Sequence, residues 1–214
     1  MSSYKLVGFR LSPTVEEILH VAELSKTPIK FENISWTDTD SAKIEHHNSP
    51  TITFPYLETP EGILSESKAI EYYLASNNPQ LLGNNTFEKA LIRQWFEFSE
   101  QLNLCGQEIY HPIFGWREYN KSRAERAEKR VNTFLQALNI QLRGKKYVCG
   151  NIITIADVSL FRSLKFYFQL VYPESKRNQY KEINDWFIRL LKTDEVKKVY
   201  GEFNLCKVPI KLTE

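Results

Sequence analysis

The stretch Phe54-Pro55-Tyr56-Leu57-Glu58-Thr59-Pro60-Glu61-Gly62-Ile63-Leu64-Ser65-Glu66-Ser67 decides the architecture of the first third of the chain. Tyr56-Leu57-Glu58 and Ile63-Leu64 are short strand-like runs. Between them, Pro60 pre-sets the φ of a turn and Gly62 closes it, so the runs pair as a hairpin. Ser65-Glu66-Ser67 opens a helix whose apolar positions Ile70, Tyr73 and Leu74 face inward, and Asn77-Asn78-Pro79 stops it. Upstream, residues 4 to 9 alternate as a strand, and Val15, Ile18, Leu19 and Ala22 have the spacing of a helix that buries one face. Ile29 and Phe31 mark a second strand. Parallel neighbours need a crossover helix, so Tyr4 to Phe31 reads as a βαβ unit. The polar segment Trp36 to Ser49 is expected to hold one short helix.

The order βαβ, α, ββα is that of a thioredoxin-like α/β domain, placed at residues 1–80. Beyond the polar linker Asn77 to Thr86, the apolar period is helical throughout. It runs through Leu91, Trp95, Phe98 and Leu102, then Ala127, Val131, Phe134 and Leu138. Further helices are expected at about 154–172, ended by Pro173, and at 179–192 and 194–200. Residues 86–214 therefore read as an all-α C-terminal domain.

Composition excludes several function classes. With 28 basic and 26 acidic side chains interspersed, the net charge of +2 provides no polyelectrolyte surface for strong nucleic-acid binding. Cys105, Cys149 and Cys206 are odd in number and lack Cys-x-x-Cys spacing, which argues against a disulfide framework and a zinc site and fits a reducing, cytoplasmic setting. No stretch approaches the ~20 apolar residues of a membrane span. The run Lys121 to Arg130 mixes both signs and reads as a solvated helix face.

Three local motifs bear on chemistry. In Gly150-Asn151-Ile152-Ile153-Thr154-Ile155-Ala156-Asp157, Thr154 and Asp157 form a capping box, a structural device that starts a buried helix. Phe54-Pro55, directly before the hairpin, reads either as an edge-strand proline or as a cis bond that turns the Phe54 backbone groups outward. Glu66-Ser67 at a helix start is either an ordinary cap or a seat for a carboxylate on free N–H groups. Together, Phe54 and Ser67 suit an extended γ-glutamyl peptide.

With Ser12-Pro13-Thr14 at the first helix start, these motifs resemble the cytosolic glutathione transferase fold in order and spacing over nearly the whole chain. The resemblance implies that Pro55 is cis and that Phe54 pairs with the cysteinyl backbone of glutathione. It places the γ-glutamyl end on Glu66 and Ser67. It also implies that the Ser12 hydroxyl, with Thr14 as runner-up, donates to the glutathione sulfur; Ser12 reads equally as a capping residue. Lowering a thiol pKa of ~8.5 by ~2 units corresponds to ~2.7 kcal/mol of selective thiolate stabilisation. The family's basic residue for the glycyl carboxylate is missing from Asn48 to Pro55; His46 or His47 reads either as a substitute or, as adjacent surface histidines more often are, as a solvated loop residue, so glutathione binding is expected to be weak or incomplete. No metal site is expected.

The segment Glu195-Val196-Lys197-Lys198-Val199-Tyr200-Gly201-Glu202-Phe203-Asn204-Leu205-Cys206-Lys207 resembles the end of the transferase-like domain of translation elongation factor 1 gamma, and Gly62 to Leu74 is similar to the same family. That resemblance implies a homodimeric scaffold docking the exchange-factor subunit of the elongation factor 1 complex. In that family a lysine-rich linker and a further domain follow, so an end at Glu214 points to a piece of a longer protein or a short homologue. An active serine-type glutathione transferase and the docking domain of an aminoacyl-tRNA synthetase complex are the alternatives.

Overall fold

Strand β1 (Tyr4–Gly8) is paired on both sides, parallel to β2 (Ile29–Asn33) and antiparallel to β3 (Tyr56–Thr59), and β4 (Gly62–Leu64) completes a mixed sheet of order β2-β1-β3-β4. The computed structural model describes residues 4–35 and 54–212, so the short helix expected within Trp36 to Ser49 lies outside the described residues. The chain divides into two units, Met1–Leu82 and Gly83–Glu214.

In the first unit the hairpin turn is fastened by the Thr59 hydroxyl, which donates to the Gly62 carbonyl at 2.8 Å and accepts the Glu61 N–H at 3.2 Å. Gly62 has φ 147°, a conformation that favours glycine. Helix α1 (Pro13–Leu24) crosses from β1 to β2 and packs against α2 (Ser67–Ala75). Leu6, Val15, Ile18, Val21, Leu57, Ile70 and Leu74 are fully buried. The face of α1 departs from the sequence reading: Leu19 is half-buried, whereas Glu17 and His20 are fully buried. The Lys68 ammonium lies 3.0 Å from Glu17 Oε1 and 3.7 Å from Glu71 Oε2, so buried carboxylates of α1 and α2 share one cation. Tyr73 is half-buried and donates its hydroxyl to Glu61 at 2.7 Å.

The second unit is helical: α3 (Thr86–Tyr110), α4 (Lys121–Gln141), α5 (Ile155–Phe166), α6 (Glu174–Arg177), α7 (Lys181–Leu191) and α8 (Asp194–Tyr200). Among its described residues the only β pairing is an isolated bridge between Tyr147 and Gly150. Helix α5 is the centre, with every residue from Ile155 to Lys165 buried. It packs on α3 through a 2.5 Å contact of the Ser99 and Ser159 hydroxyls. The buried stripe of α3 runs through Ile92, Trp95, Phe96, Ser99 and Leu102, with Leu91 and Phe98 only half-buried. In α4, Leu135 takes the buried place expected for Phe134. The helix expected to reach about residue 172 is α-helical to Phe166 and continues as a π-helix over Tyr167–Val171, closed by the Tyr172 N–H on the Tyr167 carbonyl at 2.7 Å.

Asp157 organises this unit. Its carboxylate accepts the Thr154 N–H (3.0 Å) and hydroxyl (2.9 Å), the Val148 N–H (2.9 Å) and the Trp186 indole N–H of α7 (2.9 Å). The expected capping box is present, and it extends to two donors distant in sequence. Burial raises the carboxyl pKa above its ordinary value, although all four donors oppose this. The tail after α8 is also packed: the Cys206 N–H donates to the Phe168 carbonyl at 2.7 Å, and Arg177 donates to the carbonyls of Tyr172 (2.7 Å) and Cys206 (3.0 Å). Many of the large aromatic side chains of this unit are core, among them Trp95, Phe96, Tyr110, Phe161, Tyr167, Phe168, Trp186 and Phe187. Phe161 stacks on Phe187 at 4.5 Å and Phe187 on Phe168 at 4.1 Å, but Phe114 and Trp116 are exposed.

Candidate functional site

Sheet register brings three loops to one end of the first unit. Val7 faces Tyr56 across β1 and β3, and Leu57 faces Leu64 across β3 and β4. The end of β1, the start of β3 and the end of β4 therefore emerge together, carrying Gly8 to Ser12, Phe54-Pro55 and Ser65 to Ser67. The Phe54–Pro55 bond is cis. A Cβ at Gly8 would lie 3.0 Å from Pro55 Cβ and 2.9 Å from Val15 Cγ2, so glycine is what lets the end of β1 pack against both. The Phe9 and Phe54 rings meet edge to face at 5.8 Å.

Ser12 is the N-cap of α1, followed by Pro13 at the first helical position. Its N–H donates to the Phe9 carbonyl at 2.9 Å and its carbonyl accepts the Glu16 N–H at 3.1 Å, yet its hydroxyl makes no capping bond. A half-buried hydroxyl thus stands at the positive end of a 12-residue helix without serving that helix. Thr14, also half-buried, is two residues into the first turn.

Glu66 is the N-cap of α2 with φ 65° and ψ 111°, a strained conformation for a residue with a side chain. Its carbonyl accepts the N–H groups of both Ala69 and Ile70 at 3.0 Å. The N–H of Ser67, in the first turn of α2, has no acceptor in the helix ladder, the ordinary beginning of an anion seat. Glu66 is exposed and Ser67 half-buried. The arrangement is chemically suited to an extended anionic peptide beside the sheet end, with a hydroxyl donor at α1 for a nucleophile. His46 and His47 lie outside the described residues. Among the described residues no cluster of His, Cys, Asp or Glu is placed to hold a metal.

The family model of the glutathione S-transferase N-terminal domain matches residues 6–82, and that of the glutathione S-transferase C-terminal domain matches residues 103–194. The chain belongs to the glutathione S-transferase family. Among curated relatives of this transferase-family chain, elongation factor 1-gamma of Artemia salina is 36% identical over 155 residues, 72% of this chain and 36% of that protein. The chain therefore spans about a third of that relative's length. The glutathione S-transferase-like protein LUC7 of a Fusarium species is 29% identical, with 95% of each chain covered. Among solved structures, the GST-like domain of elongation factor 1-gamma from Saccharomyces cerevisiae has a TM-score of 0.84 at 21% identity, with 100% of both chains covered, a likeness of fold.

Sequence reasoning missed two features of this transferase-fold site. The strain at Glu66 leaves no mark in composition, since glutamate is not a residue that signals positive φ. The anchoring of Lys68 by Glu17 spans 51 positions and could be found only once α1 and α2 were known to pack.

Proposed function

We propose that this chain is the transferase-like domain of a cytoplasmic scaffold related to elongation factor 1-gamma, which dimerises and docks the exchange-factor subunit of the elongation factor 1 complex. The observation that carries this reading is the 36% identity to the Artemia factor over 155 residues. It is supported by the tail around Cys206, which is tied into the helical unit by Arg177 and the Phe168 carbonyl. In this reading Phe54, Pro55, Glu66 and Ser67 form a weak glutathione site with Ser12 at the sulfur. The test is a pull-down of recombinant exchange-factor subunits from the same organism by the purified chain at low and moderate salt. Retention at both supports docking, and no retention at either removes the reading.

A second reading, an active serine-type glutathione transferase, is favoured by the Ser12 hydroxyl, which does not cap its own helix. The hydroxyl would donate to the glutathione thiolate, raising the fraction of nucleophile at neutral pH. Turnover of a generic aromatic electrophile that collapses in Ser12→Ala supports it. Turnover unchanged by that substitution rejects the role of Ser12.

A further inference from the structure

The run Lys121 to Arg130 does not behave as a uniformly mixed face. Arg123, Arg126 and Arg130 line a groove of about 470 Å³ between α4 and α3. Its floor is formed by the buried Cys105 and Ala127, and its rim by Leu104, which is 61% exposed. The acidic members of the run are not among the lining, and Glu128 instead lies 3.8 Å from Lys176. The carboxylate that does reach the groove, Glu108, is paired with Arg117. Among the described residues none of the three arginines forms an ion pair, and Arg126 uses its Nε–H on the Ser122 carbonyl at 3.3 Å. Burial raises the Cys105 thiol pKa, with Arg130 opposing, so the floor is uncharged at neutral pH.

We propose that this groove binds an acidic protein segment, with carboxylates on the three arginines flanking one apolar side chain that sits on Leu104, Cys105 and Ala127. Guanidinium groups recognise carboxylates by paired, charge-assisted hydrogen bonds, and here three line one groove whose own carboxylate, Glu108, is paired with Arg117. The apolar floor selects against a polynucleotide, which needs an extended basic track and aromatic platforms; the lining holds no aromatic ring, and the chain carries a net charge of only +2. The volume suits one or two side chains rather than a folded domain. The groove lies wholly on α3 and α4 of the helical unit and shares no residue with Ser12, Phe54, Glu66 or Ser67.

The test is fluorescence anisotropy of a labelled pentapeptide, four glutamates around a central leucine, with the purified chain at low salt. Arg126→Ala and Arg130→Ala are each expected to weaken binding about tenfold. Leu104→Ser is expected to weaken binding of this peptide but not of an all-glutamate control. Binding unaffected by the triple reversal Arg123→Glu, Arg126→Glu, Arg130→Glu overturns the proposal. So does displacement by a single-stranded RNA of equal charge at lower concentration than an unlabelled copy of the peptide. A wild-type dimer in sedimentation that the triple reversal converts to monomer, with no peptide bound by either form, also overturns it and assigns the groove to a second copy of the chain. Matching circular dichroism of the variants, whose three arginines are exposed, keeps the comparison one of folded proteins.

Discussion

Acidification should destabilise the sheet-bearing unit through one side chain, His20. Its imidazole is fully buried on α1, and burial lowers its pKa from 6.5 to about 4, with the nearby Glu17 carboxylate pulling the other way. The unfolded chain therefore binds a proton on His20 between these values that the folded chain refuses, so stability falls as pH drops. The loss begins near pH 6.5 and is complete below about pH 4. A shift of this size corresponds to about 3 kcal/mol in full, of which about 2 kcal/mol is already lost between pH 7 and pH 5. Lys68, Glu17 and Glu71 occupy the same α1–α2 contact, so acid effects on the carboxylates add to the raw pH profile. The quantity to measure is the difference between wild type and His20→Met in urea unfolding of the first unit at pH 5 and pH 7. His20→Met should lose about 2 kcal/mol less over that interval. Equal losses in the two proteins would refute the assignment of the acid sensitivity to His20.

Ser12→Ala should leave thermal stability within about 0.5 kcal/mol of wild type because the hydroxyl makes no capping bond. Asn85→Ala, which removes the oxygen accepting the Glu88 N–H at 3.0 Å, should cost about 1 kcal/mol in the same melts. Asp157→Ala strands the Val148 N–H and the Trp186 indole N–H inside the helical unit and should cost about 3 kcal/mol, read by denaturant unfolding; Trp186→Phe, which leaves the other donors satisfied, should cost less. Gly106→Ala places a Cβ 2.7 Å from Tyr110 Cε1 and 2.8 Å from Tyr167 Oη in buried surroundings and should lower stability by about 2 kcal/mol.

The hairpin was legible because proline and glycine fix backbone angles locally, and the parallel pair because a short crossover leaves few topologies. The stripe of α3 was misplaced by one position because Trp95 and Leu102 belong equally to a row through Leu91 and Phe98 and to one through Ile92 and Ser99. Periodicity counts apolar residues, and it discards the buried Ser99. The same blindness hid Glu17 and His20, which a one-faced reading of α1 assigns to solvent although both are buried. In α5 there is no polar face at all, since Arg162 and Lys165 are buried with the rest, so the change from α to π winding after Phe166 left no change of pattern to read. At the candidate site, the motif residues Ser12, Phe54 and Glu66 were visible as types, whereas the positive φ of Glu66 is a backbone property that the residue type does not announce. The groove on α4 was hidden because the sequence mixes charges that the helix then sorts.

The four donors on Asp157 also tie distant parts of the helical unit to a single opening event. If α7 swings away, a buried carboxylate loses the Trp186 indole proton; if the loop before α5 loosens, it loses the Val148 amide. Either departure leaves charge in a low-dielectric interior, a penalty that falls on partly opened forms and not on the closed one. The Val148 amide and the Trp186 indole proton, 38 residues apart in sequence, should therefore exchange for deuterium with the same opening free energy, reporting one hinge where the chain shows two.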